Sequence, residues 1–580
     1  TTADQVVDTP TNNFVTLNPL YSSISGSYPI PDLSEGNLAA STSSSANWKF
    51  VPTTIYMDSG KWYAEVRVTY SDYADSFIGF ASSEFNGQNY TPSETAFGYQ
   101  FHNTLGIRHN STQLSAGTFT QGDIIGLALN MDDNEISFYK NGILVYTATS
   151  VPAGSWSVGL TLIYTKTLYS NFGQDGTFAG GITAGGNADA NGVGDFKYTV
   201  PSGFLALCTA NLPTPTIADG STAFQTTLYT GDGSSTQTLT QSENSTFNPD
   251  FIWIKNRSNA YAHNINDAVR GYTGASPANA AAVKVLAADV TDFEGLGDTI
   301  TTAQQRGFVQ SSTSNGFIVN KGTSGSQDGF YTNASGHTYA AWQWLAGNGT
   351  ASNTDGSINT TATSVNTAAG ISISTYTGTG SNATFGHGLG AVPKMMIAKK
   401  RSSSTHWVVY HQDLTNASYW VALNLTNAQG VEATHWNSTA PTSTVVNLGT
   451  NSNTNGSSAP YILYAFAEVE GFSKFGKYTG NGSTNGAFIY TGFKPAFVIF
   501  KRIDSADNWA MYDATRDPYN VAGKYLYADS SAAETTYSTA KVDFLSNGFK
   551  WRGAVNFGNA SAGTYIYMAF AENPFGGDGV

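Results

Sequence analysis

Histidines, carboxylates and one cysteine are the residues of this sequence whose types and spacing could support metal binding or catalysis. The single cysteine, Cys208, excludes a zinc site built from several thiolates, and no H-E-x-x-H motif occurs. No serine has glycine at both −2 and +2, as a hydrolase nucleophile elbow requires, and no Gly-Lys pair precedes Ser or Thr, as a P-loop requires. The sequence therefore predicts no cofactor, no metal site and no enzyme of these classes.

The eight histidines are scattered along the chain. His406 and His411 lie five residues apart on a predicted strand, so they point to opposite faces and favour one solvated and one packed side chain over a metal pair. His387, in GHGLGAVP, is interpreted as a turn residue. His102 and His109, in FHNTLGIRHN, fall where we expect loops, which makes them candidate ligand contacts.

Acidic clusters are the second possible source of chemistry. The run 132–135 (Asp-Asp-Asn-Glu) could bind calcium, but it lacks the spacing of a calcium-binding loop and a tight hairpin explains it. A glycosidase needs two carboxyl groups only about 5–10 Å apart in space, which leaves this enzyme class the hardest to exclude. Asp292 with Glu294 is interpreted as a solvated loop pair, and Glu468 with Glu470 as a strand exit.

Aromatic residues divide into two groups. Trp253, Trp407 and Trp509 recur in strand-like blocks, which indicates packing in a core or interface rather than a platform for sugars. Tyr73 and Tyr90 lie instead in polar, loop-like sequence, where tyrosine gives contact area at little entropic cost. These two tyrosines are candidate ligand contacts, with His102 and His109.

Composition excludes several classes of protein. The chain has 580 residues, of which 12% are charged and 13% aromatic, and its formal net charge of −14 disfavours nucleic acid as a partner. The sequence contains no run of about 18 apolar residues, the length that would predict a membrane span. Because the sequence begins at Thr1 rather than Met, we expect either a processed chain or a piece whose upstream anchoring part is missing.

Alternation and turn signals predict strands. In GKWYAEVRVTY, Gly60 to Tyr70, apolar residues alternate with Tyr63, Glu65 and Arg67, which predicts one buried and one wet face. Further on, the pair Asn141-Gly142 between extended runs predicts a hairpin with a type I′ turn. Closely spaced strands without a helical period indicate an antiparallel β-sandwich.

The rest of the chain contains three repeats, each with three markers. These are a YTGxGS turn at Tyr229, Tyr376 and Tyr478; a Pro-led strand with basic residues at its end, starting at Pro249, Pro393 and Pro495; and an aromatic strand containing Tyr339, Tyr461 and Tyr565. Repeat 1 carries an insertion of about twenty residues, placed within 271–307, where an Ala-rich run predicts a short helix in a loop. Glycine- and serine-rich stretches separate the domains.

The predicted organisation is all-β, with an antiparallel sandwich followed by three related β-rich domains in series. The expected boundaries are 1–175 for the sandwich, 176–220 for a Gly-rich linker and connecting segment, 221–346 for repeat 1, 347–370 for a second linker, 371–471 for repeat 2 and 472–580 for repeat 3.

Five segments of the sandwich resemble the SPRY family. They are GKWYAEV (60–66), FIGFA (77–81), GDIIGLALNMDDNEISFYKNG (122–142) and SWSVGL (155–160) followed by NFG (171–173). The resemblance covers roughly the first 175 residues. It implies a two-sheet sandwich that serves as a binding module, with variable loops at one end making the contacts and no catalysis.

A second resemblance covers nearly the whole chain. DTPTNNFVTLNPL (8–20), GFLALCTANLPTP (203–215) and FAEVEGFSKFGKYTGNGSTNG (466–486) are similar to large SPRY-containing structural proteins of tailed bacteriophages. This implies a virion surface protein, a tail fibre, spike or other host-contacting appendage, usually an elongated homotrimer. The implied partners are a host surface glycan or protein and other virion proteins. A capsid decoration or fibre protein and a polysaccharide depolymerase on a β scaffold are the alternatives.

Overall fold

A computed structural model shows an all-β chain. It describes residues 12–22, 29–43, 47–70, 76–83, 98–102, 106–109, 112–242, 244–274, 283–295, 303–323, 328–347 and 349–574. Within these residues the α-helices are short: α1 (Ala303–Arg306), α2 (Ser452–Asn455) and α3 (Asn556–Asn559). None of the helices in this part of the chain is long and apolar enough to cross a membrane. The predicted all-β class is confirmed.

The chain divides into two compact units. Unit 1 contains residues 1–214, 485–492 and 575–580, and unit 2 contains 215–484 and 493–574. The strands of unit 1 are β1 (Asp32–Ser34), β2 (Ala39–Thr42), β3 (Lys49–Pro52), β4 (Lys61–Val68), β5 (Ser76–Ser82), β6 (Gly98–His102), β7 (Gly106–His109), β8 (Thr112–Ser115), β9 (Ile124–Asn130), β10 (Glu135–Lys140), β11 (Ile143–Thr149), β12 (Trp156–Leu162), β13 (Lys166–Asn171), β14 (Leu205–Ala206) and, in the segment 485–492, β32 (Phe488–Tyr490).

Unit 1 is a sandwich of two antiparallel sheets. One sheet has the order β1-β2-β13-β4-β9-β10-β11, and the other has the order β3-β12-β5-β6-β7-β8. Residues Val66, Phe80, Leu127 and Leu160 belong to the buried core of the sandwich. The predicted hairpin joins β10 to β11, and Asn141 and Gly142 have φ values of 50° and 78°, as a type I′ turn requires.

The face of β4 that carries Tyr63 and Glu65 is buried. The alternating pattern predicted that this face would be exposed to solvent. Tyr63 is 2% exposed and Glu65 is completely buried. β14 pairs in parallel with Trp62 and Tyr63, and Phe196 packs edge-on against Tyr63 at 5.2 Å. The Gly-rich segment predicted as a linker thus covers this face. A few apolar side chains such as Phe196 are enough to hold this segment of mostly small residues against the sheet.

Unit 2 contains the three repeats. Repeat 1 has β15 (Phe224–Thr230), β16 (Thr236–Thr240), β17 (Phe251–Asn256), β18 (Asn264–Asp267), β19 (Phe308–Thr313), β20 (Gly316–Asn320) and β21 (Thr338–Trp344). Repeat 2 and the segment before it have β22 (Ala362–Asn366), β23 (Ile371–Thr377), β24 (Ala383–Gly386), β25 (Met395–Lys400), β26 (Val408–His411), β27 (Tyr419–Ala422), β28 (Gly430–Val431), β29 (Val445–Leu448) and β30 (Pro460–Phe466). Repeat 3 contributes β31 (Ser473–Thr479), β33 (Phe493–Arg502), β34 (Trp509–Asp513), β35 (Lys524–Tyr527), β36 (Thr535–Thr536), β37 (Val542–Leu545), β38 (Gly548–Trp551) and β39 (Thr564–Pro574).

The three markers lie in the same place in each repeat. The aromatic strand is central in its sheet, between the strand that leads into the YTGxGS turn and the Pro-led strand: β15-β21-β17, β23-β30-β25 and β31-β39-β33. The marker tyrosines stack in pairs at 4.9–5.2 Å with an interplanar angle of 14°: Tyr229 on Tyr339, Tyr376 on Tyr461, and Tyr478 on Tyr565. The recurring residues are therefore core strands and turns.

The described part of the Ala-rich insertion is not helical. Leu286 forms a β-bridge with Ile265, and Val283, Val285 and Leu286 are completely buried. The short helix of this region is α1 instead, at Ala303–Arg306. Burial of the branched side chains against repeat 1 overrides the helix propensity of alanine, because propensity is worth only tenths of a kcal/mol per residue, or about 1 kcal/mol at most for residues other than proline.

Buried lysines join the three repeats in a closed ring. Lys399 of repeat 2 donates to the carbonyl of Thr291 in repeat 1 at 2.7 Å. Lys501 of repeat 3 donates to Thr426 in repeat 2 at 2.7 Å, and Lys255 of repeat 1 donates to Ser531 in repeat 3 at 3.0 Å. Each lysine lies at the end of a Pro-led strand and has no exposed surface. Repeat 2 thus donates to repeat 1, repeat 3 donates to repeat 2, and repeat 1 donates to repeat 3. Each repeat therefore contacts both of the others, and none is terminal within unit 2.

A second set of three contacts, made by ring N–H groups, joins the same three pairs of repeats. Trp407 donates its indole N–H to Ala287 of repeat 1, and Trp509 donates to Ala422 of repeat 2, both at 2.8 Å. In repeat 1 the equivalent residue is His263, whose Nε2 lies 2.9 Å from the carbonyl of Tyr527 in repeat 3. Trp253 is also buried, as predicted, but it lies on the Pro-led strand and donates to His263 Nδ1 at 2.7 Å.

Ion pairs reinforce two of the three interfaces. Glu294 of repeat 1 contacts Arg401 of repeat 2, with Nε–Oε2 at 2.5 Å. Glu534 of repeat 3 contacts Arg257 of repeat 1 at 2.8 Å. The third interface has Gln429 in the equivalent place, and its backbone N–H donates to Ile503 of repeat 3 at 3.1 Å.

Candidate functional site

The four predicted ligand contacts are only partly within the described residues. Tyr73 and Tyr90 lie outside them, and the side chain of His102 is also not described. His102 ends β6 and pairs with Gly106, whereas His109 ends β7 and pairs with Tyr99. The register therefore separates the two histidines by three residue pairs, about 10 Å along the hairpin. They do not form one cluster, and their role in binding stays a prediction.

The acidic run 132–135 forms the turn between β9 and β10. Asp132 Oδ1 accepts the N–H of Gly60 at 2.8 Å, and Asp133 Oδ2 accepts from Lys61 Nζ at 3.0 Å. Asn134 has a φ of 57°. The carboxylates therefore serve the hairpin and its neighbouring strand. Across the part of the chain that the structure describes, no group of three or more potential metal ligands comes together.

The interpretation of Asp292 and Glu294 as a solvated pair is wrong, because Asp292 is 7% exposed and the Glu294 side chain 8%. Of the four carboxylates considered for a glycosidase, Glu294 and Glu468 contact cationic side chains. Glu294 lies near Arg401 and Lys284, and although burial opposes its ionisation, Arg401 and its other cationic neighbours lower its pKa. Glu468 contacts Lys474 at 2.7 Å. A glycosidase acid needs a raised pKa, and Glu294 has the opposite shift.

The histidines of repeat 2 have structural partners. His387 is buried, accepts the N–H of Leu389 at Nδ1 and lies 3.1 Å from the carbonyl of Thr442 at Nε2. His411 is 1% exposed and lies 3.2 Å from the carbonyl of Tyr567 in repeat 3. Burial lowers the pKa of His411 to about 4. His406 is partly exposed and has a different neighbour, Asn424.

Two buried residues, Glu65 and His263, were not predicted from the sequence. Glu65 accepts the backbone N–H groups of Lys197 and Tyr198 at 2.8 and 2.9 Å, and burial raises its pKa to about 7. No local pattern indicates this contact, because its partners lie more than 130 residues further along the chain. The position of His263 could have been predicted from its spacing. Like Trp407 and Trp509, it follows the buried lysine of its repeat by eight residues.

A cleft of about 230 Å³ lies between repeats 1 and 3 of unit 2. Repeat 1 contributes Phe224 and Thr226 to its walls, and repeat 3 contributes Ala496, Ala514, Thr515, Pro518 and Ala571. Ser221 and Gln225 also line it, and its charged residues are Lys494 and Glu572, with Nζ and Oε1 2.8 Å apart and side chains 38% and 34% exposed. Thr226 is 4% exposed, and its hydroxyl has no hydrogen-bond partner within the described residues. The cavity is small, and the two charges in its wall compensate each other.

Comparison with known proteins assigns both parts of the chain. Residues 61–175 match the SPRY domain family. The SPRY domain of human HERC1 is 18% identical, with a TM-score of 0.21, over 23% of this chain and 87% of that one. The PSpry domain of TRIM65 is 14% identical, with a TM-score of 0.22, over 27% of this chain and 92% of that one. No curated protein sequence matches the chain. Residues 219–574, which are more than half of the chain and nearly all of unit 2, match the model of a domain of unknown function, DUF7483, and the chain therefore belongs to the DUF7483 family.

Proposed function

We propose that this chain is a structural protein on the outer surface of a tailed-bacteriophage virion, in a tail fibre, a spike or another appendage. In this proposal, loops of the SPRY sandwich bind a host surface glycan or protein, and unit 2 supports them. The support for the virion assignment is the resemblance of whole segments of sequence to such proteins. The support for binding is the SPRY domain at residues 61–175.

The observation that carries the supporting role of unit 2 is the use of its polar groups inside the molecule. Lys255, Lys399 and Lys501 are buried at repeat interfaces, and their Nζ atoms donate to backbone carbonyls. Histidines at the same interfaces contact carbonyls as well. Contacts of this kind between repeats support a structural role for unit 2.

Competition with virus adsorption tests the proposal. The purified chain is added to host cells before the phage particles, and we expect it to reduce adsorption in proportion to its concentration. A double variant, Y73A with Y90A, should need at least about thirty times more protein, because contact tyrosines often contribute about 1–2 kcal/mol or more each, or about 2 kcal/mol or more together. The matched control is Y519A, since Tyr519 is 82% exposed but belongs to unit 2.

Two outcomes would contradict the proposal. If antibodies against the chain do not label intact particles, the virion assignment is wrong. If the Tyr73 and Tyr90 variant competes as well as the parent chain and Y519A, the proposed loops are not the contact surface. Particle images would also distinguish tail from capsid attachment, and light scattering would show whether the chain forms the expected trimer.

A further inference from the structure

We propose that the cleft between repeats 1 and 3 binds one unit of a neutral saccharide. This inference concerns unit 2 and does not depend on the proposed function of the sandwich loops. It rests on three features of the same cavity, which are its size, the chemistry of its walls and the ion pair between Lys494 and Glu572.

Size limits the ligand. A volume of about 230 Å³ is below the range of about 300–1,000 Å³ that is typical of pockets for drug-sized molecules. One sugar ring fits a cavity of this size, whereas an oligosaccharide would have to extend out of it. The walls contain Ala496, Ala514, Ala571 and Pro518, and these small apolar surfaces suit the C–H face of a pyranose.

Charge favours a neutral ligand. Lys494 and Glu572 compensate each other, so the cleft presents no net charge to a ligand. A charged ligand would have to break this pair or leave its own charge unpaired, which costs free energy in a partly desolvated site. Two adjacent hydroxyls avoid that cost, because one can donate to the carboxylate while the other accepts from the ammonium. The spacing of 2.8 Å between Nζ and Oε1 matches the spacing of neighbouring ring hydroxyls.

The buried hydroxyl of Thr226 points to the same conclusion. A buried hydroxyl without a partner is unfavourable, and Thr226 Oγ1 has none among the described residues although its residue lines the cleft. A polar ligand in the cavity would provide a partner after a rotation of the side chain. Repeat 2 lacks this combination, since its equivalent carboxylate, Glu468, pairs with Lys474 on the following strand.

Saturation-transfer NMR on the full chain tests the inference. The probes are the methyl glycosides of glucose, galactose and N-acetylglucosamine, with glucuronic acid and glycine as charged competitors. We expect transfer to at least one neutral glycoside, and about a tenfold or greater weakening in K494A and in E572Q. K474A, which opens the pair between Glu468 of repeat 2 and Lys474 of repeat 3, should bind as the parent does.

A cleft-filling variant makes the test independent of charge. A496L places three additional carbons in the cavity and should abolish transfer while the chain keeps its melting temperature. Absence of transfer from all three glycosides would overturn the inference, as would equal binding by A496L. Preferential binding of glycine or glucuronic acid would also overturn it and would identify a site for charged ligands instead.

Discussion

The Nε2 atom of His263 lies 2.9 Å from the carbonyl oxygen of Tyr527, and this contact joins the first repeat of unit 2 to the third. On its other side, His263 Nδ1 accepts the indole N–H of Trp253 at 2.7 Å. The imidazole must therefore be neutral, with its proton on Nε2. A charged imidazole would have no acceptor lone pair for Trp253.

Acid should weaken unit 2 through His263. Burial and, secondarily, the charge of Lys255 lower its pKa from 6.5 to about 3. Because the unfolded chain binds this proton more readily, stability is present above pH 6.5 and is lost as the pH falls towards 3. Between pH 7 and pH 4 we expect a loss on the order of 3 kcal/mol from this residue. Urea unfolding of H263Q at both pH values should show a smaller loss, whereas H337Q should behave like the parent chain. Equal pH dependence in all three proteins would contradict the assignment.

Raising the pH above 7 should stabilise unit 2 through Lys399. Burial lowers its pKa from 10.5 to about 7, so the unfolded chain binds more protons between pH 7 and 10.5, and stability rises with pH over that window. We expect a gain on the order of 2–3 kcal/mol between pH 7 and 9.5, below the range in which tyrosines titrate. Denaturant unfolding of K399M should show a flatter pH profile than K400M. A profile of K399M that rises as steeply as that of K400M would be evidence against this explanation.

Loss of the Glu294 carboxylate should destabilise the contact of repeats 1 and 2. Its side chain is 8% exposed and contacts Arg401 and Lys284, whose side chains are 22% and 30% exposed, so E294Q leaves these two cations without their anionic partner. We expect a cost of about 1–3 kcal/mol in the free energy of unfolding. E468Q, in the more exposed pair with Lys474, should cost less than about 1 kcal/mol. Thermal unfolding of both variants compares the two pairs, and a larger effect of E468Q would show that burial is not the deciding factor.

The first glycine of the YTGxGS turn should not tolerate a side chain. A Cβ atom on Gly378 would lie 2.4 Å from the carbonyl oxygen of Gly456, and the equivalents Gly231 and Gly480 have approaches of 2.3 and 2.4 Å. Because the opposing group is backbone, G378A should cost about 2 kcal/mol or more. G349A, where a Cβ meets nothing within 4 Å, should change stability by less than about 0.5 kcal/mol. Calorimetry on both variants decides the matter: similar melting temperatures would mean that the turn can move aside.

Local features of the fold could be predicted because their causes lie within a few residues. The type I′ turn at Asn141-Gly142 needs positive φ at two consecutive positions, which few residues allow. The markers of the repeats recur because each contains a turn or strand of fixed geometry. The burial of Glu65 and of the segment that covers it could not be predicted, since a pleated strand shows the same alternation whether its second face meets water or another part of the chain.

The amino-acid sequence by itself determined the all-β class, the SPRY-like start and the existence of three related units, because periodicity and turn chemistry are short-range properties. Only the tertiary structure decided that these units close on one another, with His263 in the place that Trp407 and Trp509 occupy elsewhere. It also decided which carboxylates meet cations and that a cleft opens between repeats 1 and 3. Such contacts join residues that are often more than 100 positions apart, and their geometry depends on how complete sheets pack, which no local pattern encodes.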